Sequence, residues 1–360
     1  MSKNKISYIC VDEPNLQPIE EELKGLDYDL SVQICNSEGE TIEAIKGADL
    51  IINEGVPMSA SVINEIDNAK SIVSFGHGFD RIDHDAATEN KIMLTNTAGF
   101  CSEEVSNHAI MLLLSCAKHL NFLNNLVKSG QWDKAPSEGM RKYLAEKNLY
   151  MPPIYNQTLG LIGFGNIARA TARKAKSFGL NVITYDPYIE PWIAREYDVE
   201  VFNSLDSIAK LSDYVSIHLP LNNETKKIIN KSFFENMKKT AFIINTCRGA
   251  TIDEEAMIDA LNSDSIAGAG LDVFEHEPID DSNPLITFSN VIMTPHTAGT
   301  STGSDEILYK YVGQEAYRIL NNQWNCWLSQ YTFFWRTSDH LSGTKVKWGC
   351  EFRLLFPNPS

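Results

Sequence analysis

One stretch limits the fold more than any other. Thr158-Leu-Gly-Leu-Ile-Gly163-Phe-Gly165-Asn166-Ile167-Ala168 runs from an apolar strand through a glycine turn into the start of a helix. Gly163 and Gly165 let the backbone turn sharply and let a pyrophosphate approach. The helix opening at Asn166 and Ile167 offers unused N–H groups and the positive end of its dipole. Ala168, in the third position, is small enough for close helix–strand packing. Alone the pattern is weak, because glycine turns after strands are common. Its surroundings strengthen it: Asp186 closes the apolar run 182–186, about twenty residues further on. An acid there accepts hydrogen bonds from a ribose 2′-hydroxyl and repels the 2′-phosphate of NADP, which points to NAD. The competing reading makes Asp186 a turn cap before Pro187.

The rest of the chain supplies the units such a turn belongs to. Before it, segments 6–11, 49–53, 71–75 and 92–96 read as strands, with helical patterns at 14–24, 40–46, 60–68 and 83–90 between them. After it come strand candidates at 158–163, 181–185, 214–218, 240–245, 268–273 and 291–293. Strands alternating with helices indicate βαβ units on parallel sheets. At 360 residues, two such domains with a cleft between them are expected. The fold class is therefore α/β, two doubly wound parallel sheets of Rossmann or flavodoxin type. Residues 102–127 read as one long helix capped by Ser102, and 132–156 as irregular, broken by Pro136, Pro152 and Pro153. Residues 304–320 read as a further helix. The final segment from about Gln323 holds four of the six tryptophans and shows no βα period.

Charge and cysteine usage narrow the partners. With 47 acidic against 31 basic residues the net charge is −16, a field that repels nucleic acid and anionic membranes. A small anionic substrate is still admissible, since a few local cations dominate inside a pocket. No apolar stretch reaches the roughly 18–20 residues a membrane helix needs, and residues 1–13 do not read as a signal peptide. Seven scattered cysteines without a C-x-x-C pair argue against a disulfide scaffold or a metal site, and a reducing cytoplasm is expected.

Three short segments carry candidate chemistry: Ile244-Asn-Thr246-Cys-Arg248-Gly249, Leu271-Asp272-Val-Phe-Glu-His-Glu277-Pro278 and Met293-Thr-Pro-His296. Each follows an apolar strand, and residues just past the carboxyl ends of parallel strands face the ligand crevice. Reducing a 2-keto acid needs hydride at the carbonyl carbon and a proton at its oxygen. Histidine supplies that proton near neutral pH. A carboxylate on the far imidazole nitrogen fixes the tautomer and stabilises the charged ring. Arginine grips the substrate carboxylate with its planar fork and polarises the carbonyl. Singly, His296 is a loop histidine, Arg248 a solvated cation and Glu277 a strand end; together, behind a dinucleotide turn, they read as a site. Cys247 reads as a small buried thiol.

These motifs, with Ser216-Ile-His218-Leu-Pro220, resemble the D-isomer-specific 2-hydroxyacid dehydrogenase family over most of residues 45–320. The resemblance implies His296 as acid/base, Glu277 as its partner and Arg248 as substrate clamp, without a metal. It further implies Asp272 near the nicotinamide carboxamide, and His218, Pro220 and Thr246 along the cofactor groove. Phe75-Gly76-His77-Gly78-Phe79-Asp80 is similar to the family's glycine loop, which implies His77 and Gly78 at the substrate. It implies a discontinuous substrate domain, 1–103 with 298–325, an NAD domain over 104–297, an unassigned tail over 326–360, and a homodimer through the NAD domain. Three departures stand out: His77 replaces a commoner apolar residue, Asn166 a frequent arginine, and the tail differs from the usual ending. Phosphite dehydrogenases carry a lysine at the His77 position, so that activity stays open. Formate dehydrogenases pair the histidine with glutamine, which Glu277 disfavours. A dinucleotide-sensing corepressor on the same fold also stays open.

Overall fold

The computed structural model describes residues 3–134, 139–147, 149 and 151–323; the unassigned tail 326–360 lies outside them. The chain forms two compact units. One gathers the described residues up to Cys101 and from Ser301 on, the other spans Ser102–Thr300.

In the first unit five parallel strands, β1 (Asn4–Cys10), β2 (Tyr28–Ile34), β3 (Leu50–Glu54), β4 (Ser71–Ser74) and β5 (Met93–Asn96), form a sheet in the order β2-β1-β3-β4-β5. This is the flavodoxin-like winding. The central strands are apolar on both faces because helices cover both. Ile51 packs on one side, while Leu50 and Ile52 pack on the other with Val312, Ala316 and Ile319 of the helix Ser304–Leu320. Gly313 makes that return possible: a Cβ there would lie 2.9 Å from the Ile19 Cα in the helix Gln17–Glu22. β2 is a strand that the sequence reading missed. It lies at the sheet edge, where half-buried Tyr28, Leu30 and Val32 alternate with exposed Asp29 and Ser31, so no continuous apolar run marks it.

The second unit holds β6 (Thr158–Ile162), β7 (Asn181–Tyr185), β8 (Glu200–Val201), β9 (Tyr214–Ile217), β10 (Phe242–Asn245), β11 (Gly268–Leu271) and β12 (Val291–Met293). All are parallel, in the order β12-β11-β10-β9-β6-β7-β8. The order reverses between β6 and β9, which puts the glycine turn at the switch point where doubly wound sheets bind ligands. Six strands were expected; two-residue β8 is too short to carry a period.

Two helical expectations need correction. The helix expected over 102–127 breaks into Ser102–Ala117 and Leu120–Lys128, bent by 65°, with His119 at φ 47° between them. Ser102 does not cap it, because its buried Oγ has no hydrogen-bond partner. Within 132–156, expected to be irregular, Met140–Glu146 forms a helix. Among the described residues no single helix is long and apolar enough to cross a membrane. The helix Ser102–Ala117 lies close on the sheet: a Cβ on Gly270 of β11 would sit 3.0 Å from the Leu112 Cβ.

Candidate active site

The glycine turn is built by close backbone approach. Gly163 has φ +87°, donates its N–H to Tyr185 O at 2.8 Å, and leaves no room for a side chain, since a Cβ would lie 2.5 Å from the His218 carbonyl oxygen. Gly165 differs: a Cβ there would meet nothing within 4 Å. It precedes the helix Asn166–Ser177, whose N-terminus has no side-chain cap. The first-turn N–H groups of Asn166 and Ile167 thus have no helical acceptor and line an open space. Nearby, Thr246 has a buried Oγ1 with no hydrogen-bond partner. An open cradle at a helix N-terminus and an orphaned hydroxyl both fit an anionic dinucleotide.

His218 lies under this turn. Its N–H reaches Ile162 O at 2.8 Å and its Nε2 meets Ser216 Oγ at 2.9 Å. Burial pushes its pKa down to about 3, so the ring is neutral. The Pro220 carbonyl, next along the same loop, accepts the Thr225 hydroxyl at 2.6 Å. Asp186 has partners that the sequence did not reveal. One carboxylate oxygen accepts the Phe164 N–H at 2.8 Å, inside the glycine turn, and the other the Tyr188 N–H at 2.9 Å. Turn capping is therefore real here, with lone pairs left over for a ribose hydroxyl.

Arg248, Glu277 and His296 follow β10, β11 and β12, which are neighbours in the sheet. The Arg248 backbone is pinned from two sides: its carbonyl accepts Asn245 Nδ2 at 2.9 Å and Thr251 Oγ1 at 2.7 Å. Its Nη1 donates to the Cys247 carbonyl at 2.7 Å. Gly249 must lack a side chain, because a Cβ would fall 1.9 Å from the Phe274 carbonyl carbon. That approach locks the arginine turn against the loop carrying Glu277. Glu277 accepts the Phe274 N–H at 2.9 Å with one oxygen and faces His296 Nδ1 at 2.7 Å with the other. A carboxylate only accepts, so the proton lies on Nδ1 and Nε2 is the nitrogen available for transfer. Burial pushes the Cys247 thiol up, and its Sγ lies 3.0 Å from Asn245 Oδ1, the setting of an unreactive thiol.

Asp272 is fully buried and its carboxylate serves the histidine loop. Oδ1 accepts Thr294 Oγ1 at 2.5 Å and the Thr297 N–H at 2.9 Å; Oδ2 accepts the Ala298 N–H at 2.8 Å. Its carbonyl takes the His296 N–H at 2.8 Å. His296 itself sits at φ 53°, a left-handed conformation that costs about 1–2 kcal/mol outside glycine and needs such bonds to persist. Thr294 and His108, which meets it, received no role from the sequence. Nothing in the chain marks a contact between residues 186 positions apart.

In the first unit the glycine loop has its own bonds. Gly76 adopts φ +84°, and the Gly78 carbonyl accepts Ser74 Oγ at 2.9 Å. The His77 ring accepts the Gly99 N–H at 3.4 Å and lies 3.6 Å from Cys101 Sγ.

Comparison with known proteins places the chain. The sequence profile of the D-isomer specific 2-hydroxyacid dehydrogenase NAD binding domain matches residues 110–298. The chain belongs to that family. It is 38% identical over 256 residues to the hydroxypyruvate reductase of Thermotoga maritima, covering 70% of this chain and 78% of that protein. It is 35% identical over 285 residues to the D-3-phosphoglycerate dehydrogenase of Methanocaldococcus jannaschii, 79% of this chain but only about half, 52%, of that protein. Among solved structures, D-lactate dehydrogenase from Aquifex aeolicus complexed with NAD and lactic acid superposes with a TM-score of 0.73 at 26% identity, covering 89% of this chain and 96% of that one. The two doubly wound units are thus those of an NAD-dependent oxidoreductase family.

Proposed function

We propose that this protein interconverts a small D-2-hydroxy acid and its 2-keto acid with NAD. The observation that carries the reading is the Glu277–His296 pair, 2.7 Å apart, beside Arg248 on the adjoining strand ends. The glycine turn, Asn166, Ile167, Asp186 and Thr246 stand ready to hold the dinucleotide, which when bound supplies or accepts the hydride at the substrate's second carbon. The proton passes between His296 Nε2 and the substrate oxygen, while Glu277 holds Nδ1–H and compensates the charged ring. Arg248 binds the substrate carboxylate and polarises the carbonyl.

We place the reaction in a reducing compartment, the cytoplasm, since none of the five described cysteines forms a disulfide. A homodimer through the NAD-binding unit is supported by exposed Met111, Leu120 and Val127 on the helices Ser102–Ala117 and Leu120–Lys128.

The test is NADH oxidation against a panel of small 2-keto acids, with His296→Gln and Arg248→Ala as controls. The histidine change is expected to lower kcat by about 10²–10⁴, the range of acid/base catalysis. Turnover near wild type in that variant would remove the mechanism.

A further inference from the structure

Histidine 108 lies on the sheet-facing stripe of the helix Ser102–Ala117, between buried Val105 and Leu112, and only 14% of its side chain is exposed. Its Nε2 meets Thr294 Oγ1 at 2.8 Å and lies 3.5 Å from Asp272 Oδ1. The direction of these bonds follows from proton counting. The Asp272 carboxylate only accepts, so the single hydroxyl proton of Thr294 goes to Oδ1 at 2.5 Å. The Thr294 oxygen is then an acceptor toward His108, and the imidazole proton sits on Nε2.

We infer that His108 is a positioning residue for His296, acting through Thr294 and Asp272. The chain of bonds is continuous. His108 Nε2–H orients the Thr294 hydroxyl, and that hydroxyl fixes the rotamer of the Asp272 carboxylate. The carboxylate holds the N–H groups of Thr297 and Ala298, just beyond His296, while the Asp272 carbonyl holds the His296 N–H. The segment so clamped, 294–298, carries the one residue whose left-handed backbone must be maintained for its ring to reach Glu277. Without His108 the Thr294 oxygen loses its donor, and the hydroxyl loses the constraint that keeps its proton on Asp272 Oδ1. His108 thereby sets the loop without touching the reacting atoms.

The inference rests on His296 being the proton carrier, so both are tested together. Replacing His108 by Leu removes the N–H donor; replacing it by Gln returns a side-chain N–H at similar reach. His108→Leu is expected to lower kcat about tenfold, one hydrogen bond's worth, with the KM for NADH unchanged. His108→Gln should recover kcat to within about threefold of wild type. A merely space-filling histidine would show neither the kcat-only loss nor the rescue.

Thr294→Val against Thr294→Ser repeats the test should the leucine variant fail to fold. The double variant His108→Leu/Thr294→Val should lose no more than the deeper single one. Three results overturn the inference: wild-type kcat in His108→Leu, a glutamine variant as slow as the leucine one, or additive losses in the double variant. If His296→Gln has meanwhile lost turnover, the reading of His296 stands and only the role of His108 falls. Full turnover in His296→Gln sinks the reading itself.

Discussion

Glu277→Gln tests the imidazole's support most directly, because the substitution keeps shape and removes one acceptor. In the native site one carboxylate oxygen takes the Phe274 N–H at 2.9 Å while the other faces His296 Nδ1 at 2.7 Å. Glutamine has one accepting and one donating end. If its oxygen stays on Phe274, its NH₂ confronts Nδ1, and the ring is denied the tautomer that leaves Nε2 to deal with substrate. If its oxygen turns to Nδ1, its NH₂ confronts the Phe274 N–H. Either arrangement forfeits one hydrogen bond to a charged group, about 1.5–3 kcal/mol. The His296 side chain is 49% exposed, so water screens part of this and the lower end of the range applies.

At about 1.4 kcal/mol per tenfold in rate, the expected fall in kcat for keto-acid reduction is about 10- to 30-fold. Reduction is the sensitive direction, because the ring enters it carrying both protons, the state an opposing carboxylate favours. The assay is steady-state NADH oxidation, with NADH affinity measured separately by fluorescence quenching and expected to be unchanged. A kcat within about twofold of wild type would refute the argument that the pair supports proton transfer. A parallel loss of NADH affinity would show instead that the change acts through the cofactor site.

Gly165→Val should leave thermal stability nearly unchanged, since a Cβ there meets nothing, yet raise the Kd for NADH at least tenfold by filling the cradle; equal NADH affinity in a calorimetric titration would mean that the phosphates lie elsewhere. Asp186→Ala should weaken NADH binding about tenfold and shrink the preference for NADH over NADPH, because it removes both the pin on the Phe164 N–H and the carboxylate itself. Weakening without any change in preference would assign the carboxylate to the turn alone. His218 has a folded-state pKa far below the value it has in the unfolded chain, so its stability contribution is present above about pH 6.5 and is lost as pH falls below it toward 3. Urea unfolding midpoints of wild type and His218→Asn should therefore converge or cross on acidification from pH 7 to 5, and parallel curves would count against a buried neutral ring.

The parts of the fold legible in the sequence were those where one physical requirement leaves one pattern. Strands buried on both faces carry apolar residues at successive positions rather than alternate ones, which is why β3 and β4 and the core strands β6, β9 and β10 stand out. Edge strand β2 buries one face only, and β8 is two residues long, so neither left a run to detect. The break after Ala117 is marked by neither glycine nor proline; His119 simply adopts the left-handed region, and a continuous apolar period conceals the bend. Placement of Arg248, Glu277 and His296 at neighbouring strand ends was legible because parallel winding puts every strand's carboxyl end on one edge of the sheet.

What the sequence could not convey is where an acid at a strand end spends its acceptors. Asp186, Asp272 and Glu277 look alike in the chain, each a carboxylate just after an apolar run. In the folded protein Asp272 gives its oxygens to the 294–298 loop, Asp186 gives one to the glycine turn, and Glu277 divides itself between Phe274 and His296. The difference arises from backbone N–H groups left over where turns leave the sheet, whose positions exist only once the strands are in register. Each leftover donor near the sheet's carboxyl edge costs about 1–3 kcal/mol if buried unmet, so these acids are fixed before any ligand arrives. A preorganised site follows from that order of events: the bonds that complete the fold also aim the imidazole and open the phosphate cradle, which is why changes at Asp272 or Gly249 should alter chemistry without touching a reacting atom.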